Sequence, residues 1–173
     1  NTALHSLHST RLKLFPLTLG QLQASLHSIP ELAKDLKILV VSTLIDGNAR
    51  RAVNMKIEKM EKMPASEHPW QTYWLILLKE ENTGIGLVGF KGKPDAQGEV
   101  EIGYGIDPFY QGKGYMTEAV STLVKWAFAH PECKAVTAHG VRADNYASQK
   151  VLVRNGFIEV GENEAGFDFI LHR

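Results

Sequence analysis

Tyr110-Gln111-Gly112-Lys113-Gly114-Tyr115-Met116 sets two glycines around a lysine where an extended segment gives way to a helical pattern. The first turn of a helix leaves several N–H groups without intrahelical partners. The aligned peptide dipoles add roughly half a positive charge at that end. Together they suit a phosphorylated ligand. Gly112 and Gly114 permit positive φ and a close approach of the backbone to such a ligand, and Lys113 offers a charged contact. The run is not a P-loop, which needs four residues between its glycines and then Gly-Lys-Ser/Thr. Nor does it fit G-x-G-x-x-G, because Thr117 stands where the last glycine belongs. That pattern does occur at Gly84-Ile85-Gly86-Leu87-Val88-Gly89, but Phe90-Lys91-Gly92-Lys93-Pro94 follows it. Such a continuation cannot open the helix that the fingerprint requires. Asn82-Thr83-Gly84 therefore reads as a hairpin turn and Ile85 to Lys91 as a strand.

Glu101 lies on the extended segment ahead of the glycine-rich turn, in Val100-Glu101-Ile102-Gly103-Tyr104. A free glutamate, at about 4.3, is too acidic for an ideal base at neutral pH, and burial is what raises it. His139, on a later extended segment, is the alternative base. Asn145-Tyr146-Ala147-Ser148 opens another helix, with Asn145 or Asp144 as its cap. Arg154, at the end of that helix, reads as facing water. Cys133 is the single cysteine and follows Pro131-Glu132 in a turn. It cannot form an internal disulfide, which fits a reducing, cytoplasmic compartment. Nineteen basic residues balance nineteen acidic ones, so no overall field draws nucleic acid or an anionic membrane. No apolar run reaches membrane-spanning length, and Asn1 to Thr10 hold no signal-peptide core. No metal is expected.

The pattern of elements must position these groups. Arg11 to Leu17 alternates as a first strand. Short helices are expected over Leu19–Leu26 and Glu31–Leu36, separated by Pro30. A firmer helix runs from Asn48 to Met63 with Val53, Ile57 and Met60 on one face. Pro64 and Pro69 bound a loop. Thr72 to Leu78 is apolar on both faces, hence a strand covered on both sides. Strands follow over Ile85–Lys91 and Glu99–Ile106. Met116, Ala119, Val120, Leu123, Val124 and Ala127 define a helix that stops at His130-Pro131. Lys134 to Val141 is a strand, Asn145 to Asn155 a helix, and Phe157–Gly161 with Phe167–Leu171 a closing hairpin. The unit from Glu99 to Val141 is strand-helix-strand, which demands a parallel pair. Ligands of open α/β sheets sit beyond the carboxyl ends of such strands, where the glycine-rich turn lies. The expectation is one α/β domain over residues 1–173.

From Glu99 onward the chain resembles the GNAT superfamily of acyl-CoA N-acyltransferases, closest to its ribosomal-protein N-terminal acetyltransferase branch. Two motifs carry the resemblance. Gln111-Gly112-Lys113-Gly114-Tyr115-Met116 matches Gln/Arg-x-x-Gly-x-Gly/Ala, with Met116 in place of the small residue. Asn145-Tyr146-Ala147-Ser148 followed by Gly156-Phe157 matches the second. The resemblance implies a mixed, mostly antiparallel seven-stranded sheet flanked by helices, with a splayed parallel pair that holds the pantetheine arm. It implies acetyl-CoA as co-substrate, bound by the turn, by the backbone of Tyr104, Gly105 and Ile106, and by Asn145 and Ser148. One backbone N–H of that strand would stabilise the oxyanion of a tetrahedral intermediate, a contribution of about 2.7–4 kcal/mol. Glu101 would deprotonate the amine directly or through water. The family often places a tyrosine acid where this chain has Leu152, which leaves Ser148, Tyr146 or water to assist the departing thiolate. The implied function is acetyl transfer to a primary amine of a small molecule or peptide, by a monomer or homodimer. The alternative is a non-catalytic acyl-CoA-binding or regulatory module on the same fold.

Overall fold

The computed structural model describes residues 6–173; the first half of the polar stretch Asn1 to Thr10 lies outside them. In chain order the elements are β1 (Leu7–His8), β2 (Leu12–Pro16), α1 (Leu19–His27), α2 (Ile29–Leu36), β3 (Leu39–Val40), α3 (Asn48–Met60), α4 (His68–Gln71), β4 (Tyr73–Leu78), β5 (Thr83–Phe90), β6 (Glu99–Ile106), α5 (Tyr115–Phe128), β7 (Ala135–Val141), α6 (Tyr146–Arg154), β8 (Ile158–Asn163) and β9 (Gly166–His172). All seven expected strands are present. The sheet nevertheless has nine strands among the described residues, in the order β1-β2-β4-β5-β6-β7-β9-β8 with β3 beside β5. The additional two, β1 and β3, are two residues long, too short for any alternation to register. They are set by their partners, Leu7 opposite Leu14 and Leu39 opposite Thr83.

Local chemistry explains most boundaries. Thr18 and Gln21 form a reciprocal capping box at the start of α1. Pro30 does not separate two helices as expected. It sits in the first turn of α2, capped by Ser28, where its missing N–H removes no intrahelical bond. α3 ends at Met60, three residues before the expected stop, and α4 occupies part of the loop expected between the prolines, with Pro69 in its first turn. The 84–89 glycine pattern lies wholly inside β5, so it opens no helix. The turn before β5 is displaced to Lys79–Asn82, where Asn82 takes φ 50° and its short polar side chain tolerates the left-handed region.

Every residue of β4 and β5 is buried, because hydrophobic clusters cover both faces of the sheet. One, beneath α5 and α6, includes Trp74, Phe90, Val120 and Leu152; the other, beneath α1–α3, includes Leu22, Leu32, Val53, Leu75 and Leu87. Alternation along β6 sorts its side chains between these faces. Val100 and Ile102 belong to the first cluster, with Tyr104 and Ile106 packed against it. Glu101, Gly103 and Gly105 turn to the other side.

β6 and β7 are the parallel pair, and they stay together for three residues only: Glu99–Ala135, Val100–Val136 and Glu101–Thr137. From Ile102 onward β6 pairs with β5 alone, while β7 continues the pairing with β9 that begins at Ala135. The sheet is thus split at its centre, on the side where α5 and α6 begin.

Candidate active site

The split exposes one backbone edge of β6. Lys91 N donates to Glu101 O at 3.0 Å and Asp107 N donates to Ile85 O at 2.9 Å, so the odd-numbered residues bond to β5. Backbone groups alternate in direction along a strand. Tyr104 and Ile106 therefore direct their N–H and C=O groups into the split, beyond the last β6–β7 pair at Glu101–Thr137. Gly105 directs its own toward Leu87 on β5. A Cβ built on Gly105 would meet nothing within 4 Å, so this glycine leaves open space on the α3 side.

The turn follows directly. Gly112 and Gly114 adopt φ 77° and 81°, conformations that a side chain would strain. Gly114 is the N-cap of the fourteen-residue α5, and no side chain caps that end. Gly114 to Thr117, the start of the helix with the positive end of its dipole, line an adjoining cavity of about 460 Å³. Tyr104, Gly105 and Ile106 form one wall of it, Gln111, Gly112, Gly114, Tyr115 and Met116 another, and Asn145 and Ser148 a third. These expected residues thus come together. Lys113 does not join them: its Nζ donates to Phe109 O at 3.2 Å and lies over the Phe109 ring. Arg154, read from sequence as facing water, does line the cavity, as does Lys150, which sequence reasoning missed. The signal was available, since Tyr146, Lys150 and Arg154 are spaced i, i+4, i+8 and share one face of α6.

α6 fixes the third wall. Asn145 Oδ1 accepts from Ser148 N at 3.1 Å, so Asn145, not Asp144, caps the helix. Asp144 instead pairs with Arg142 at 2.9 Å. At the far end Asn155 Nδ2 donates to Val151 O on α6 and to Thr117 O in the first turn of α5. Asn155 therefore ties the two helices on either side of the cavity, a role the sequence did not signal. Leu152 is completely buried in the core beneath α6 and does not line this cavity.

A second cavity of about 660 Å³ opens on the α3 side and shares Tyr104, Gly105, Ile106 and Ser148 with the first. The two meet where β6 and β7 diverge. Glu101 and His139 both line the second cavity. Glu101 is half-buried rather than buried, and its Oε2 accepts from Lys91 Nζ at 2.7 Å. His139 Nδ1 lies 3.4 Å from Asp168 Oδ1. At the junction Tyr104 Oη and Ser148 Oγ are hydrogen-bonded at 2.8 Å. Burial pushes the Tyr104 phenol up to about 12 against the opposing effect of this bond. That contact joins residues 44 positions apart in sequence, with no local pattern to reveal it.

The acetyltransferase (GNAT) domain model matches residues 11–158. The chain belongs to the GNAT acetyltransferase family. The GNAT chain is 38% identical over 85 residues to the uncharacterized N-acetyltransferase YjdG of Bacillus subtilis (strain 168), covering 49% of this chain and 50% of that one. It is 30% identical over 87 residues to the ribosomal-protein-serine acetyltransferase of Escherichia coli (strain K12), covering 50% and 48%. It thus spans about half the length of the curated relatives it matches. Its fold superposes on the RimL ribosomal L7/L12 alpha-N-protein acetyltransferase solved in complex with coenzyme A, with a TM-score of 0.66 at 19% identity over 97% of this chain and 98% of that one. The sheet with its parallel β6–β7 pair is therefore a GNAT sheet. Among the described residues no group of three or more His, Cys, Asp or Glu is placed to hold a metal ion, and no helix is long and apolar enough to cross a membrane.

Proposed function

We propose that this GNAT domain transfers acetyl from acetyl-CoA to a primary amine of a small molecule or peptide. The supporting observation is that two cavities, one against a helix N-terminus and one holding a carboxylate, meet at the split between β6 and β7. The coenzyme pyrophosphate lies against Gln111, Gly112, Gly114, Tyr115 and Met116, with Lys150 and Arg154 supplying charge from α6. The pantetheine amides bond to the open edge of β6 at Tyr104 and Ile106, as an added strand would. The amine enters from the second cavity. Glu101 accepts its proton, directly or through water, and Lys91 holds that carboxylate in place. Attack forms the amide C–N bond and breaks the thioester C–S bond. An N–H on the open edge of β6 stabilises the oxyanion between these events. The departing sulfur takes a hydrogen bond from Ser148, whose hydroxyl is held by Tyr104.

Thiol release on mixing the protein with acetyl-CoA tests this reading, using N-terminal peptides, polyamines, amino sugars and amino acids as acceptors. An acetylated amine should form in equal amount to the free thiol. Tight acetyl-CoA binding with no release for any acceptor would instead favour a non-catalytic acyl-CoA-binding module.

A further inference from the structure

We infer that Arg11, outside both recognised motifs, is a positioning residue that sets the phosphate-facing geometry of the glycine-rich turn; this rests on the proposed place of the coenzyme pyrophosphate. Arg11 lies just ahead of β2. Its Nε donates to Glu118 Oε1 at 2.8 Å and its Nη1 donates to Lys113 O at 2.9 Å. The guanidinium carbon sits 4.4 Å from the centre of the Tyr115 ring. A Cβ on Gly114 would lie 3.2 Å from Nη2. Glu118 is fixed from the same side, for its Oε2 accepts from Ser9 Oγ and from Arg11 N. Burial pushes the Glu118 carboxyl up, but these hydrogen bonds and the Arg11 charge outweigh it and hold the group below its usual range. The anchor is thus a carboxylate at neutral pH.

A guanidinium presents its donors in a rigid planar fork. Bonding at once to Glu118 and to Lys113 O therefore fixes the Lys113–Gly114 peptide. In a planar trans peptide the N–H points opposite to the C=O. With the carbonyl held toward Arg11, the Gly114 N–H faces away from it. The N–H groups of Gly112, Lys113 and Gly114 donate to no backbone carbonyl among the described residues, and both glycines line the coenzyme cavity. Arg11 thereby presets an anion-binding N–H and places its own charge behind the turn. Free of this clamp, a turn with two glycines would sample other orientations, and ligand binding would bear the entropy of ordering it.

The test compares dissociation constants for acetyl-CoA and for acetyl-pantetheine, which lacks the pyrophosphate, by calorimetry on wild type, Arg11→Gln and Arg11→Lys. Arg11→Gln should weaken acetyl-CoA by roughly tenfold, the scale of one lost charge-assisted hydrogen bond, and leave acetyl-pantetheine within twofold. Arg11→Lys, with charge but no fork, should recover only part of the loss. Equal weakening of both ligands, or no weakening of either, would overturn the inference. A wild type that binds both ligands equally well would remove the pyrophosphate from the turn altogether, which is a failure of the proposed function and takes the clamp's role with it.

Discussion

At the scale of single residues, Glu101 and Leu152 show how neighbours decide a role. Glu101 shares its carboxylate with Lys91, which is more than half exposed and stays solvated if its partner is lost. Glu101→Gln should therefore fold normally, keep its acetyl-CoA affinity and lower turnover by about 10²–10⁴-fold. A normal rate in this variant, together with a slow His139→Gln, would assign proton removal to His139, which lies 3.4 Å from Asp168. Ser148 and Tyr104 share one hydrogen bond. Ser148→Ala should slow turnover by about three- to twelvefold, the worth of a neutral hydrogen bond. Tyr104→Phe should cost a similar factor, and the double variant little more than either, because both remove the same contact. Losses that multiply in steady-state kinetics would show that the two hydroxyls act separately. Leu152 stands where the family often has a tyrosine, but its burial makes Leu152→Tyr an overpacking change. A thermal melt should register a destabilisation of roughly 1–3 kcal/mol, with no gain in rate. An unchanged melting temperature would mean that this position has room and an outlet toward the sulfur.

At the scale of elements, α3 carries an unexpected group. Val53 and Met60 are buried in the core with Ile57 packed against it, as the sequence suggested, but Lys56 is buried beside them. Lys56 Nζ donates to Gln71 O and Phe90 O, each at 2.8 Å, and lies over the Tyr73 ring. Burial first, then the charges of Lys91 and Lys59, lower its pKa from 10.5 to about 7. A neutral amine has two N–H donors, which matches its two carbonyl partners. The sign of the linkage follows. Between pH 7 and 10.5 the unfolded chain keeps the extra proton, so stability rises with pH by at most about 1.4 kcal/mol per unit from this group. Lys56→Met should remove that slope. Denaturant titrations at pH 7, 8 and 9 should show the wild type gaining stability relative to the variant, and parallel curves would contradict the assignment.

Lys56 also marks what sequence could not disclose. A lysine on an apolar face scores as polar wherever it sits, and its carbonyl partners come from distant strand and helix ends. The two-residue strands, α4 and the Tyr104–Ser148 contact are hidden for the same reason: long-range neighbours set them. By contrast β4, the 84–89 strand, the glycine-rich turn and the Asn145 helix were legible, because apolar runs, breakers and caps act within a few residues. The split itself was implied only by resemblance, since β6 and β7 are apolar enough to have paired along their length.

At the scale of the molecule, the break between β6 and β7 joins two partial sheets through three residue pairs. Separate cores cover the two faces, so the gap stays open without leaving the sheet unsupported. The starts of α5 and α6 line one cavity and α3 flanks the other, and the two share Tyr104, Gly105 and Ile106 of β6; in the proposed function the first takes the coenzyme and the second the amine. Amide hydrogen exchange, read residue by residue by NMR with and without acetyl-CoA, tests this arrangement most directly. The account predicts strong new protection at the amides of Tyr104 and Ile106 and across Gly112–Thr117, with Gly103 and Gly105 changing little because they already bond to β5. Saturating acetyl-CoA that leaves Tyr104, Ile106 and Gly112–Thr117 unprotected would contradict it.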